Sequence, residues 1–248
     1  MPLINPGFED DNAKPAGWNL AAIPGSPMPD LWNIESAGNN AGPASRLTGN
    51  NGLRVGQEGN FHCWECVVYQ TVDDVAAGQR LDAGAWAVFW SGENWDFPMP
   101  DAVNVFAQVG IDPSGGVDPA SQGVIWGQRI EPRRKCEPNR DAKEHQLAEV
   151  RDVPAQGDRA TMFIRLNCGW VGRNDAGGPP CRWEQAKSFA FVDDAYLRAR
   201  WPDGGGQPPQ PRPEPEPDPE PIVAIVYEVD LTLGGMPLRG TVRRVQVG

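Results

Sequence analysis

Short runs in which apolar residues alternate with small or polar ones recur over residues 1–201, separated by glycine, proline and asparagine clusters. A period of two places every second side chain on one face of a β-strand, so each run predicts a strand with one face on a core. One segment, 140–150, has a weak apolar pattern that fits a helix, a long loop or a single turn. The pattern predicts an all-β sandwich whose clearest strands are 53–55, 66–72, 80–90, 103–111, 124–130 and 161–166.

The composition changes abruptly after Trp201. Residues 207–221 read QPPQPRPEPEPDPEP, and proline at nearly every second position favours an extended polyproline II rod. Residues 222–226 are all apolar, 227–233 alternate apolar and polar positions, and Gly234-Gly235 separates this run from a second β-type run over 238–247. The predicted organisation is therefore a β-sandwich at 1–201, a Pro/Glu-rich linker at 202–221 and a short β-hairpin at 222–248.

The C-terminal hairpin needs a surface on which to dock. Two strands alone are marginally stable in water, and residues 222–226 form an apolar, β-branched edge that would aggregate if left bare. We expect the hairpin to add to a sheet, either on its own sandwich, on copies of the same chain or on another structural protein.

The charge and the missing motifs exclude several functions. A net charge of −11 argues against nucleic acid and anionic membranes as partners, because phosphate binding needs clustered Lys and Arg. No apolar stretch is long enough to span a bilayer. The chain has two histidines and none of the motifs of a nucleophile elbow, a phosphate-binding loop or a zinc protease, so we predict no catalysis.

The number of cysteines is high and odd, which suggests one or two disulfides, with buried free thiols as the alternative. Cys63 and Cys66 have the spacing of a zinc knuckle, but a zinc site would need further ligands to converge with them. The disulfide candidates are Cys63, Cys66, Cys136, Cys168 and Cys181.

Four segments, in order, are similar to one family. They are Asn5-Pro6-Gly7-Phe8-Glu9 with Gly17-Trp18, then YQTV (69–72) with the strand ending at Trp90, then GIDPSGGVDP (110–119) with VIW (124–126), and last FVDDAYL (191–197). Together they resemble the galactose-binding-like jelly-roll carbohydrate-binding modules of bacterial extracellular proteins. The resemblance spans about residues 3–200 and implies a jelly-roll sandwich with long loops that binds polysaccharide.

Many modules of this family hold a structural Ca²⁺ between the first and last strands. The resemblance assigns its ligands to Glu9, Asp193 and Asp194, since calcium is bound by hard oxygen atoms. Asp112 and Asp118, in contrast, lie in Asp-Pro turns where an Asx cap needs no ion.

The tryptophans are candidates for a sugar-stacking surface, because pyranose C–H groups pack on an indole face while amides and carboxylates bind the hydroxyls. Burial in the core is the alternative for each of them. The predicted ligand-binding residues are Trp90, Trp95 and Trp126, with Asn94 and Asp96 beside them.

Two classes of function follow. One is a non-catalytic, carbohydrate-binding-module-like domain displayed at a surface and anchored to a larger assembly by 222–248, with a secreted module of a glycan-active system as a variant. The other is a phage virion protein, a capsid decoration or tail component, that binds no glycan. The expected location is extracellular or on a virion surface.

Overall fold

The computed structural model describes residues 3–10, 14–36, 46–57, 63–92, 104–132, 144–169, 187–202, 226–233 and 236–243. The chain divides into two compact units, Met1–Gly206 and Gln207–Gly248. The described parts contain no helix that is long and apolar enough to cross a membrane. The strands of the first unit are β1 (Asn19–Ala22), β2 (Leu31–Ser36), β3 (Asn51–Gln57), β4 (Trp64–Asp73), β5 (Arg80–Gly92), β6 (Val105–Asp112), β7 (Ile125–Trp126), β8 (Gln146–Pro154), β9 (Arg159–Cys168) and β10 (Lys187–Arg200).

These strands form two antiparallel sheets, which confirms the predicted β-sandwich. The first sheet has the order β1-β4-β9-β6-β7, and the second has the order β2-β3-β10-β5-β8. From β3 to β6, and again from β8 to β10, consecutive strands alternate between the sheets, as in a jelly roll. Inward-facing side chains of both sheets meet in one hydrophobic core, to which β4 and β9 contribute Val68 and Ile164 and β3 and β10 contribute Leu53 and Val192.

Three elements differ from the sequence prediction. Residues 146–154 form β8, which pairs with β5 along the edge of the second sheet, rather than a helix or loop. The predicted strand 124–130 is reduced to the two-residue β7 and an isolated bridge from Ile130 to Ala107. Strands β1 and β2 were not predicted, because short segments near Gly and Pro give little periodic signal and gain their pairing from β4 and β3.

The second unit contains a hairpin of β11 (Val226–Leu233) and β12 (Met236–Arg243). The strands pair antiparallel from Leu233 with Met236 to Val226 with Arg243. Residues 203–225, which include the proline-rich segment, lie outside the described residues, so the predicted boundaries of the linker stay predictions.

Cys66 carries a free thiol that is fully buried, and the prediction that it forms a disulfide is therefore wrong. Burial raises the pKa of this thiol, and the neighbouring carboxylate of Glu65 raises it further, so it stays protonated and unreactive. Cys63 and Cys168 are also buried in the core, whereas Cys136 and Cys181 lie outside the described residues.

Candidate functional site

The outer face of the first sheet carries aromatic and polar side chains at the positions that alternate with the core. In β9, Met162, Ile164 and Leu166 belong to the core, so the residues between them point to the opposite side. The strand registers place matching residues of β4 and β6 beside them. We call this surface the Trp126 face, and its residues are Glu65, Val67, Tyr69, Phe106, Gln108, Trp126, Arg129, Phe163, Arg165 and Asn167.

Aromatic rings form the centre of the Trp126 face. The indole of Trp126 lies across Gly110, where a Cβ atom would be 2.6 Å from the ring, so only glycine permits this close approach. The ring centres of Trp126 and Phe163 are 6.1 Å apart, and those of Phe163 and Tyr69 are 5.8 Å apart. Phe163 is buried, while Trp126 and Tyr69 are half-buried and keep part of their rings accessible.

An ion pair lies next to these rings. The guanidinium of Arg165 donates to Glu65 Oε1 over 2.7 Å from Nε, and its second nitrogen lies 2.5 Å from the same oxygen. Ser26 Oγ donates to Glu65 Oε2 over 2.7 Å. Because the Glu65 side chain is 4% exposed and that of Arg165 is 22% exposed, the pair is shielded from water on one side only. The arginine is thus held in place beside the Trp126 ring, whose centre is 5.9 Å from its guanidinium carbon.

Gln108 supplies an unused hydrogen-bond acceptor on the same face. Its Nε2 donates to the carbonyl oxygen of Gly127 over 2.8 Å, which fixes the orientation of the amide. Its Oε1 is buried and has no hydrogen-bond partner among the residues that the structure describes, and the residue as a whole is 9% exposed. A buried amide oxygen left without a donor costs about 1–3 kcal/mol, so this atom favours a ligand hydroxyl or a water molecule.

Of the sequence-predicted ligand-binding residues, Trp126 lies on this face and Trp90 does not. Trp90 is on the outer side of the second sheet, 3% exposed, with its ring stacked on Phe189 at 5.9 Å between centres. It belongs to a buried cluster with Val88, Phe189 and Phe191, so the prediction that it offers a stacking surface is wrong. Trp95, Asn94 and Asp96 lie outside the described residues.

Sequence reasoning missed the polar half of the Trp126 face. Glu65, Gln108 and Arg165 each occupy an outward position of a strand whose other side chains are core residues. That alternation is visible in the sequence and could have identified each of them as an outward-facing residue. The neighbours that they acquire across strands could not be identified, because the register depends on long-range pairing.

Two of the predicted calcium ligands reach the same loop, residues 46–51. Asp193 Oδ2 accepts hydrogen bonds from the backbone N–H groups of Leu47 and Thr48 over 2.6 and 2.9 Å. Both carboxylate oxygens of Glu9 accept from the backbone N–H of Asn50, over 3.1 and 3.0 Å. The carboxylates thereby connect both ends of the sandwich domain to the start of β3.

Asp194 joins the same cluster through its side chain, whose Oδ1 accepts from Thr48 Oγ1 over 2.8 Å. Burial raises the pKa of Asp193 to about 6, against the lowering effect of the three backbone N–H donors. Among the residues that the structure describes, no group of three His, Cys, Asp or Glu side chains is close enough to hold a metal ion. The calcium site stays a prediction; Glu9 and Asp193 cap backbone N–H groups, and Asp194 accepts from the Thr48 hydroxyl.

Asp112 and Asp118 close turns, as the sequence predicts. Asp112 Oδ1 accepts from the backbone N–H of Ser114 over 2.9 Å, and Asp118 Oδ1 accepts from that of Ala120 over 2.9 Å. Both are Asx turns that need no ion.

No family model matches the chain, and no curated protein matches it. Solved structures similar to it include the carbohydrate-binding module TmCBM61 in complex with β-1,4-galactotriose, with 14% identity, coverage of 80% of this chain and 98% of that one, and a TM-score of 0.48. Another is the enzymatically active domain of bacteriophage CBA120 tailspike protein 4, with 14% identity, 79% and 21% coverage, and a TM-score of 0.43.

A third is the tandem CBM22-1–CBM22-2 domain of Paenibacillus barcinonensis Xyn10C, with 10% identity, 97% and 59% coverage, and a TM-score of 0.42. Carbohydrate-binding modules are thus among the solved structures to which this chain is similar. With TM-scores below 0.5, these are distant similarities, and the fold assignment rests on the strand pairing of the chain itself.

Proposed function

We propose that this protein is a non-catalytic β-sandwich module that binds polysaccharide on the Trp126 face. The observation that carries the proposal is the half-buried Trp126 ring flanked by the oriented guanidinium of Arg165 and the unpartnered Oε1 of Gln108. A pyranose can pack its C–H groups on the indole while its hydroxyls exchange hydrogen bonds with a donor and an acceptor that are already fixed.

The test compares two tryptophan variants of the full chain by affinity electrophoresis against a panel of polysaccharides. Trp126→Ala is expected to weaken binding at least tenfold, about 1.4 kcal/mol, because the stacking surface is lost. Trp201→Ala is the matched control, since Trp201 is also half-buried but lies near Gly78 and is not part of the Trp126 face. Equal binding by both variants, or no binding of any polysaccharide by the unmodified chain, would contradict the proposal.

We further propose that the β11–β12 hairpin attaches the module to a larger assembly outside the cell or on a virion surface. The supporting observation is that the second unit contributes a two-stranded sheet, which is marginal in water without a further strand. Copies of the chain or another structural protein would supply that strand by β-augmentation.

A proline substitution tests the attachment, because it removes a backbone donor from a strand. Val229→Pro within β11 is expected to abolish assembly in sedimentation velocity, while Gln210→Pro, among the prolines of the linker sequence, leaves it unchanged. If the unmodified chain assembles but retains no polysaccharide, a virion structural role without glycan binding becomes the better assignment. A monomeric full chain that binds glycan would favour a secreted module.

A further inference from the structure

The Trp126 face holds more positive charge than negative charge, on a chain whose net charge is −11. We propose that its ligand is an acidic polysaccharide, whose carboxylate or sulfate groups are bound by Arg129 and Arg165. This inference rests on the proposed function and specifies the class of sugar. The observation behind it is that the guanidinium groups of both arginines lie near the ring of Phe106.

Both guanidinium groups lie over the same aromatic ring. The guanidinium carbon of Arg129 is 4.2 Å from the ring centre of Phe106, and that of Arg165 is 5.4 Å from it. The two guanidinium carbons therefore lie at most about 10 Å from each other. Glu65 neutralises only one of the two charges.

Arg129 is the available cation of the pair. Its side chain is exposed, and its contact with Phe106 is the one interaction found for it in the described part of the chain. Other exposed arginines pair with carboxylates, as Arg159 does with Asp73 and Arg200 does with Asp82 and Asp152. Arg198 also lies over a ring, that of Tyr196, but Arg129 shares its ring with a second guanidinium, and this pair of positive charges can bind an anion supplied from outside.

Stacking also prepares the guanidinium groups for binding. Contact with the ring limits the freedom of each guanidinium group, so less side-chain entropy is lost when an anion arrives. A guanidinium presents two parallel N–H donors that match a carboxylate or sulfate, and such charge-assisted bonds are about twice as strong as neutral ones. Trp126 and Gln108 would hold the sugar ring while the acidic substituent reaches Arg129.

The experiment uses the full chain and polysaccharides that differ only in charge. Polygalacturonate is compared with its methyl ester, and dextran sulfate with dextran, by affinity electrophoresis at low and high salt. We expect the carboxylated or the sulfated polymer to bind at least tenfold more tightly than its neutral partner, with an advantage that shrinks as salt rises. Which acidic polymer binds distinguishes the two sources of negative charge.

Two arginine variants complete the test. Arg129→Gln is expected to weaken binding of the acidic polymer about tenfold and to leave binding of the neutral one unchanged. Arg198→Gln is the matched control, because Arg198 is also exposed and its guanidinium carbon lies 4.7 Å from a ring centre, that of Tyr196 on the second sheet. Both variants should keep the unmodified chain's melting temperature, which shows that binding and not folding is measured.

The outcomes separate the two proposals. Equal binding of acidic and neutral polymers that Trp126→Ala abolishes would overturn the acidic ligand and leave the sugar-binding face standing. If Arg129→Gln and Arg198→Gln weaken binding of the acidic polymer equally, the loss comes from the change in overall charge and not from Arg129, and the inference is overturned. Retention of a single-stranded oligonucleotide but of no polysaccharide would overturn both proposals.

Discussion

Each of the two sheets carries an arginine–glutamate pair and aromatic rings on its outer face. On the first sheet Glu65 pairs with Arg165, which lies near Phe106 and Trp126. On the second sheet Glu35 pairs with Arg54 over 3.2 Å, and the guanidinium carbon of Arg54 lies 4.3 Å from the ring centre of Phe189. The chemistry of the two faces is therefore closely similar.

The two faces differ in how much of their aromatic ring surface stays accessible. On the second sheet Trp90, Phe189 and Phe191 are all at most 4% exposed, so packing buries almost the whole surface of their rings. On the first sheet Trp126 and Tyr69 stay half-buried, and Gln108 keeps an oxygen without a partner. The two faces therefore differ in accessibility more than in the types of residue that they carry.

The largest expected difference between the faces is in stability. Trp90→Ala removes a buried indole and should lower the free energy of unfolding by about 3–5 kcal/mol. Trp126→Ala removes a half-buried one and should cost about 1–2 kcal/mol. Urea denaturation of both variants measures the contrast, and equal losses would show that the two faces are equally structural.

Asp193 lies on the outer side of the second sheet, opposite Trp86 in the strand register, and should make stability depend on pH. Its folded pKa of about 6 lies above its ordinary value of 3.8, so the folded state holds the proton more tightly than the unfolded state. The stability that this carboxyl contributes is present below about pH 4 and falls by about 3 kcal/mol as the pH rises through 6.

Denaturant titrations from pH 4 to 7, with a chelator present, measure this fall. Asp193→Asn should lose this pH dependence, because its amide does not titrate. A variant that keeps the full fall between pH 4 and 7 would assign the effect to another group.

Replacing the glutamate of either ion pair should lower the stability of the fold equally, but only one replacement should change the binding of polysaccharide. Glu35→Gln and Glu65→Gln each leave a partly buried arginine without its carboxylate, which should cost about 2 kcal/mol in either case. Glu65→Gln should also tighten binding of an acidic polysaccharide severalfold, because the amide oxygen can still accept from Arg165 but no longer neutralises its charge. Affinity electrophoresis of both variants checks this, and an unchanged affinity in Glu65→Gln would remove Arg165 from the binding site.

Calcium is expected to stabilise the fold by an amount similar to the ion pairs. If Glu9, Asp193 and Asp194 bind the ion as their resemblance to the family implies, saturating calcium should add about 1–3 kcal/mol to the stability, a shift of a few degrees in melting temperature. Differential scanning fluorimetry with calcium against a chelator measures the shift. No rise in the unmodified chain would leave these carboxylates as backbone caps alone.

Much of the fold follows from local pattern. Strands β4, β5, β6 and β9 coincide with predicted runs to within a few residues, because each combines β-branched or small residues with a period of two. β8 escaped prediction, since QLAEVRDVP carries polar residues at an exposed edge and is a strand only because β5 pairs with it. β2 was missed for a similar reason, since it is a strand only because β3 pairs with it.

The sequence alone determined the all-β character of this protein, the alternation that separates core from outer positions, the turns closed by Asp112 and Asp118, and the abrupt change of composition after Trp201. Each of these depends on residues that are close together along the chain. Tertiary structure decided which tryptophan stays accessible, and it placed Arg129 and Arg165 over the same ring. Accessibility and charge pairing depend on neighbours tens of residues away, and only the strand registers of the folded sandwich select them.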